Sequence, residues 1–507
     1  MVPKQSKLTS KSVFESFLYF IILTFLTYCQ LACKYSIMFI SYPLNRFYEV
    51  LRINYLIYIQ SLFINFTSWL PDATSKRIYL TRDIIAGITI AMIIIPQSMA
   101  YATLANLEPV YGLYASFVPV AIAAFFGSSR YLATGPVAMV SLLTAVAITS
   151  LSLGDESLYV PLAIMLALSV GVFQITLSLV KAGKLIDIVL KEHVILGFTS
   201  AAALIIASSQ LSKVFGLNKV SFDDLFSISA FLENTPINSY AVLMSLAALF
   251  ILYIFKNKLT KYQFFANIAV LSAVIVTIIL SESLNYDGPI VGVIPDGLPN
   301  FSLPAISINS ELLFMFIIHT IIISFVGFME AIAIARQLEQ KEPVKNSKGV
   351  ELYKYPTPVN SNQELFGQGL GNIASSISGA YPVSGSFSRS AVNESVGSYS
   401  PISSITTMLI VMVTLLYATP LLFALPESTL GIIVIFAVVP LIRINKMSSL
   451  LKNDNQKGIV TWATFFSTLI FPILSIEIFS GINTHIWTGI IFGFLLSLLI
   501  ERKPSTV

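Results

Sequence analysis

The chain of 507 residues is 55% hydrophobic and only 11% charged, with a mean hydropathy of +0.81. Soluble globular proteins carry about 25% charged residues, so this composition excludes an ordinary soluble domain and identifies a polytopic membrane protein. Thirty Lys and Arg against 26 Asp and Glu leave a formal charge of +4, and the placement of those charges is more informative than their sum.

In chain order, residues 13–65 are apolar and aromatic but interrupted by Lys34, Pro43, Arg46 and Arg52. Residues 17–40 read as a membrane helix and the remainder as interfacial, so 1–68 is expected to be an accessory anchor, too long for a signal peptide. Cys29 and Cys33 lie four apart there and read as helix-face packing, with no support for a disulfide framework or a metal site. The main body starts near Trp69 and runs to about Ile500. Apolar runs at about 160–180, 237–255, 262–280, 312–335, 402–425 and 482–500 approach the roughly 20 residues that cross a bilayer. With shorter broken spans included, roughly a dozen to fourteen crossings are expected.

Basic residues gather in short loops: Lys181, Lys184 and Lys191; Lys256, Lys258 and Lys261; Arg336 to Lys354; Arg443 to Lys457; and Arg502 with Lys503. Threading the loops alternately puts these clusters on one side, which the positive-inside rule makes cytoplasmic. The other side receives Asp155, Glu156 and the 281–311 loop with Glu282, Asp287, Asp296 and Glu311. The polar stretch 337–363 is expected to be a solvated loop, and 501–507 to be a short cytoplasmic tail.

Two broken segments occupy corresponding places in the two halves. YLATGPVAMVSLLTA (131–145) sets Gly135-Pro136 before an apolar helix, and SGAYPVSGSFSRSAVN (378–393) sets Pro382 and Gly385 before another. Proline cannot continue a preceding helix but pre-sets the first turn of a new one, so each motif predicts extended chain switching into a helix. Irregular backbone survives within a bilayer only where it lines a cavity or is buried in protein. Helix starts carry roughly half a positive charge, so two that face each other form an anion site without charged side chains.

Arg389 sits inside a small-residue, otherwise apolar pattern, which makes it a functional candidate by default. With a helix start near Ser386, the residues Ser386, Arg389 and Asn393 fall on one face. The plainer alternative is structural pairing of Arg389 with a carboxylate or with backbone carbonyls. Glu330, deep in HTIIISFVGFMEAIAIAR, is a second intramembrane charge; both a proton carrier and a fixed partner of Arg389 or of a helix start are open for it. His319, about three turns earlier, reads as a satisfied interior residue. In DIIAGITIAMIIIPQSMAYATLANL, Pro96 interrupts an apolar helix and is followed by Gln97 and Tyr101, which read as lining the same cavity or as marking a kink.

Together, DIIAGITIAMIIIPQSMAYATLANLEPVYGLYASFVPV, GSSRYLATGPVAMVSLLTA, ILGFTSAAALIIASSQL and NQELFGQGLGNIASSISGAYPVSGSFSRSAVN resemble the SulP family of anion transporters over residues 69–500. The resemblance implies an all-α fold of fourteen transmembrane segments in two inverted seven-helix repeats, at about 69–282 and 311–500, forming core and gate domains. It implies half-helices in the third and tenth segments, with the anion between Gly135-Pro136-Val137-Ala138 and Ser386-Phe387-Ser388-Arg389. Gln97 and Tyr101 of the first segment would contribute side chains, and Glu330 of the eighth would be its acidic residue.

The departures also set expectations. Most members carry a cytoplasmic STAS domain after the last helix, and the residues after 500 are too few for one. Sodium-coupled bicarbonate members place a Thr one turn after the acid, where this chain has Ile334; lacking that oxygen, proton coupling is favoured over Na⁺. The expected function is secondary active transport of an inorganic anion, sulfate first, by alternating access at a midplane site. Bicarbonate or dicarboxylate transport, anion exchange and an anion channel are the alternatives. An enzyme is disfavoured, because no base or G-x-S-x-G pattern accompanies Ser386 or Ser388. No cofactor is expected; the expected partners are the anion, protons, the bilayer of the cell membrane and, by resemblance, a second copy of the chain, with no role for nucleic acid.

Overall fold

The computed structural model describes residues 77–183, 191–217, 237–258, 263–295, 297–301, 310–339, 359–474, 477–479, 482–483 and 486–500. The expected accessory segment 1–68, most of the 337–363 stretch and the tail 501–507 lie outside the described residues.

The first half opens with α1 (Arg77–Leu104), α2 (Pro109–Ala115) and α3 (Val118–Phe126). A strand β1 (Ala133–Gly135) leads into α4 (Ala138–Ser152), followed by α5 (Tyr159–Leu179). Next come α6 (Glu192–Ser209), α7 (Leu211–Phe215), α8 (Ser239–Tyr253) and α9 (Gln263–Ser283). The second half repeats the pattern with α10 (Ser310–Glu339), α11 (Ser361–Ile377), β2 (Ser384–Ser386) and α12 (Phe387–Val396). It ends with α13 (Ile402–Val413), α14 (Glu427–Val438), α15 (Ile444–Asn453), α16 (Asn455–Leu474) and α17 (Ile486–Ile500).

Among the described residues, eight helical stretches are long and apolar enough to cross a bilayer, with three shorter apolar helices beside them. Many large apolar side chains, among them Leu246, Phe250, Ile279, Phe314 and Leu499, are exposed; on helices of this length they form the surface that lipid covers. The all-α expectation needs one amendment. β1 and β2 pair antiparallel, with Ala133 opposite Ser386, Thr134 opposite Gly385 and Gly135 opposite Ser384. Extended chain at the centre of a membrane protein has backbone groups that no lipid can satisfy, and the two breaks satisfy one another. A second short antiparallel pair joins Glu477–Phe479 to Ile482–Asn483.

Packing gathers most helices into two groups, and α1 touches both, resting on α9 and α14 as well. In one, α11 lies between α3 and α5, while α10 crosses α4, α5 and β2, and α1 packs on α12 and α13. Small residues allow close approach: a Cβ on Gly171 would stand 2.7 Å from the carbonyl oxygen of Gly369, and one on Gly369 2.9 Å from that of Gly171. Backbone-to-backbone contact of this kind is how membrane helices gain dispersion energy that lipid cannot supply. In the other group, α16 packs on α6 and α17, and α8 on α9 and α14 around Ala248, Leu252, Ala269, Ala273 and Ile432.

A buried carboxylate ties the start of α1 to the turn before α13. Asp83 accepts hydrogen bonds from the backbone N–H groups of Tyr399 (2.6 Å) and Ser400 (3.0 Å) and from the hydroxyls of Ser398 (3.0 Å) and Ser400 (2.5 Å). It therefore orders the chain that leaves α12 through the left-handed Gly397 (φ 78°).

Candidate functional site

Antiparallel pairing of β1 and β2 fixes where the next two helices begin. Each strand runs directly into a helix, so α4 and α12 leave the ribbon from opposite ends and point their N-termini back toward it. The sequence predicted a helix start near Ser386, and the structure puts Ser386 at the N-cap of α12 and Val137 at that of α4. Neither start receives a side-chain cap, so the first backbone N–H groups of both helices remain available to a ligand. At 15 and 10 residues, α4 and α12 are roughly 22 and 15 Å long, well short of the hydrocarbon thickness.

Arg389, on the first turn of α12, is completely buried between these starts. Its Nη1 donates to Gln97 Oε1 (3.0 Å), its Nη2 donates to the carbonyl oxygen of Pro136 (2.8 Å), and its Nε has no hydrogen-bond partner. The guanidinium therefore spans from α1, at the residue after Pro96, to the loop that opens α4. Gly135 makes the close approach feasible. Its φ of 152° favours glycine, and a Cβ there would stand 3.0 Å from Ile94 Cδ1 and 3.2 Å from Arg389 Nη2.

The remaining predicted residues gather around this centre. Gln97, Tyr101, Val137, Ala138 and Ser386 are buried, Phe387 is half-buried and Ser388 is exposed. Ser386 Oγ and Ser388 Oγ are 3.4 Å apart across the first turn of α12. From the other helix group, the Arg443 guanidinium stands 5.5 Å from the centre of the Phe387 ring, a cation–π contact between the groups. Asn393, on the Arg389 face as predicted, donates to the carbonyl oxygen of Tyr131 (3.1 Å), and the Ser390 hydroxyl accepts from the Ala133 N–H (2.8 Å). Those two residues bind α12 to the β1 segment.

Glu330, on α10, lies within electrostatic range of Arg389 and Tyr101 but makes no ion pair with the arginine. Its Oε2 is buried without a hydrogen-bond partner. Of the two structural readings open for Arg389, the carboxylate partner is absent in this conformation and one backbone carbonyl is present. His319 is buried and has a partner, in line with a satisfied interior residue. Ile334 packs with Leu132, Ala331 and Leu338 in an apolar cluster, so no oxygen ligand stands one turn after Glu330.

Several buried polar residues escaped the sequence reading. Tyr381, completely buried, accepts from the Ser141 hydroxyl at 3.4 Å and lies within electrostatic range of Arg389. Glu364 on α11 accepts from the backbone N–H groups of Ser128 (2.8 Å) and Ser129 (3.0 Å), bracing the loop after α3. Gln368 and Asn372 follow it at one-turn intervals; a recurring polar face in NQELFGQGLGN was the available signal.

A family model described as the sulfate permease family matches residues 80–465. The probable sulfate transporter 4.2 of Arabidopsis thaliana is 33% identical over 489 residues, covering 92% of this chain and 66% of that protein. The chain thus spans about two thirds of the length of that relative. Among solved structures, murine Slc26a9, an anion transporter described in an inward-facing state, superposes with a TM-score of 0.73 at 23% identity, over 88% of this chain and 72% of that one. The transmembrane domain of the cyanobacterial bicarbonate transporter BicA gives 0.66 at 23% identity, over 79% of this chain and 97% of that one. The architecture is accordingly that of two inverted repeats forming a core and a gate.

Proposed function

The chain belongs to the sulfate permease family, and from that premise we propose that it is a secondary active transporter that moves sulfate together with protons across the cell membrane. The observation that carries this reading is the buried guanidinium of Arg389, set between two uncapped helix starts with its Nε unpartnered. Each helix start supplies roughly half a positive charge, which with the arginine gives about two positive charges, the match of a sulfate dianion. The unpaired backbone N–H groups and the Ser386 and Ser388 hydroxyls offer donors to its tetrahedral oxygens, and charge-assisted bonds of this kind are the strong ones.

Glu330 gives the coupling a physical basis. Ionised, it cancels one of the charges that hold sulfate; protonated, it leaves them whole. Sulfate and a proton therefore load together and leave together as the core moves against the gate. Basic loops such as Arg443–Lys457 face the cytoplasm in this reading, with the transporter domain beginning and ending on that side. The test is uptake of radiolabelled sulfate into proteoliposomes, with bicarbonate, chloride and fumarate as competitors. Preferential uptake of one competitor would keep the site and transfer the substrate assignment to that anion.

A further inference from the structure

The two unwound segments pair with each other, but a two-stranded ribbon of three residues a side is too short to hold its own geometry. One face of α11 holds both sides of it, beside the Ser384 hydroxyl, which donates to the Gly327 carbonyl on α10 (2.6 Å), and the Ser390 hydroxyl, which accepts from the Ala133 N–H. Gln368 Nε2 donates to the Thr134 hydroxyl of β1 at 2.8 Å. One turn later, Asn372 treats Val383, the residue before β2, as a neighbouring strand would: its Oδ1 accepts from the Val383 N–H (2.8 Å) and its Nδ2 donates to the Val383 carbonyl (3.2 Å). A further turn on, the Ser375 hydroxyl donates to the Tyr381 carbonyl at 2.6 Å.

The brace reaches beyond α11. Asn372 Nδ2 also donates to Gln174 Oε1 (3.0 Å), and Gln174 Nε2 donates to the Ser324 carbonyl (3.2 Å) on α10, the helix that carries Glu330. All of these side chains are essentially fully buried. A purely apolar face would suffice to pack α11 on α3 and α5, and buried amides cost free energy unless they are bonded. Their partners are not spread at random: Gln368, whose Oε1 has no hydrogen-bond partner, holds Thr134 of β1, and Asn372 holds Val383, the residue that leads into β2. Thr134 is three residues before the N-cap Val137, and Val383 is three before the N-cap Ser386.

We infer that Gln368 and Asn372 are positioning residues that set the separation of the two half-helix starts and so decide which oxyanion fits between them. Neither touches the anion; each acts through the strand it holds. This rests on the reading of the site as an anion site. A tetrahedral oxyanion of one size would be bound at the spacing that these two amides impose, and releasing one strand would let the spacing relax toward larger ions.

The experiment uses the full chain in proteoliposomes and measures sulfate KM, Vmax per folded transporter and the sulfate-to-selenate preference. The variants are Gln368→Met, Thr134→Val, the double variant, and Asn372→Leu. Gln368→Met and Thr134→Val both remove the Gln368–Thr134 hydrogen bond, and Gln368→Met also removes the 3.3 Å bond from Gln368 Nε2 to Glu364 Oε1; Thr134→Val is expected to raise the sulfate KM about fivefold, the change that one neutral hydrogen bond makes, and Gln368→Met by at least as much. The double variant is expected to be no worse than Gln368→Met alone, Vmax to stay within about twofold of wild type, and the preference to move toward selenate. Unchanged KM and preference, with only lower yield or thermal stability, would overturn the inference and leave α11 a structural element. Multiplicative effects in the double variant would overturn it too, because the two residues would then act separately. If Gln368→Met does not fold, Thr134→Val decides by itself. Absence of sulfate uptake by the wild type would instead count against the substrate reading, and the same series would then be run with bicarbonate or fumarate, whichever the wild type carries.

Discussion

Replacing Arg389 by lysine separates charge from geometry. The substitution keeps one positive charge on α12 but exchanges a planar fork for an ammonium on a shorter reach. In the structure the fork makes two bonds in different directions, to Gln97 Oε1 at 3.0 Å and to the Pro136 carbonyl at 2.8 Å. These partners lie on α1 and on the loop before α4 and are met by two different nitrogens of the fork, so a single nitrogen on a shorter stem is expected to lose at least one of them. Losing one bond to a charged donor costs about 1.5–3 kcal/mol, which corresponds to roughly a tenfold to hundredfold rise in KM. Arg389→Ala, which removes the charge as well and leaves both acceptors unpaired, is expected to abolish measurable uptake. The assay is initial-rate uptake of radiolabelled sulfate over a concentration series, normalised to folded protein. A lysine variant with the wild-type KM would refute the argument that the guanidinium geometry, rather than charge alone, makes the site.

Glu330→Gln is expected to retain sulfate binding, seen as protection against thermal unfolding, while uptake loses its stimulation by an inward proton gradient. Loss of binding in that variant would contradict its assignment to coupling. Gly135→Ala places a side chain in a conformation with φ of 152° and brings a Cβ to 3.2 Å from Arg389 Nη2; a backbone penalty of about 1–3 kcal/mol and a sharp loss of uptake are expected, with near-normal uptake as the contrary result. Asp83→Asn exchanges an acceptor of four hydrogen bonds for a half-donor group, and is expected to lower the unfolding temperature of the detergent-solubilised protein while leaving the sulfate KM of the folded fraction unchanged.

Much of this site was legible because breaks in apolar runs are rare and costly. Gly135-Pro136, Pro382 and Gly385 announced two interrupted segments, and Arg389 and Glu330 stood out as charges where lipid-spanning chain tolerates few. The start of α12 was located to within one residue by the same reasoning. The strand pairing of Ala133–Gly135 with Ser384–Ser386 was not legible. Three residues on each side give no period-2 pattern, and the pairing joins segments some 250 residues apart, as the Arg389-to-Pro136 bond also does. Asp83 and Glu364 were passed over because each lies near the end of an apolar run, where a carboxylate ordinarily faces water; here both are buried and bonded to backbone N–H groups. Gln368 and Asn372 are uncharged, and their one-turn spacing takes on meaning only when the strands they hold are in place.

Sulfate uptake into proteoliposomes with and without an inward proton gradient tests the central claim most directly. Saturable sulfate uptake that the gradient accelerates, and that Glu330→Gln renders insensitive to it, is the predicted result. Uptake of sulfate at the same rate with and without the gradient would contradict proton coupling, and no sulfate uptake under either condition would contradict the assignment of sulfate itself.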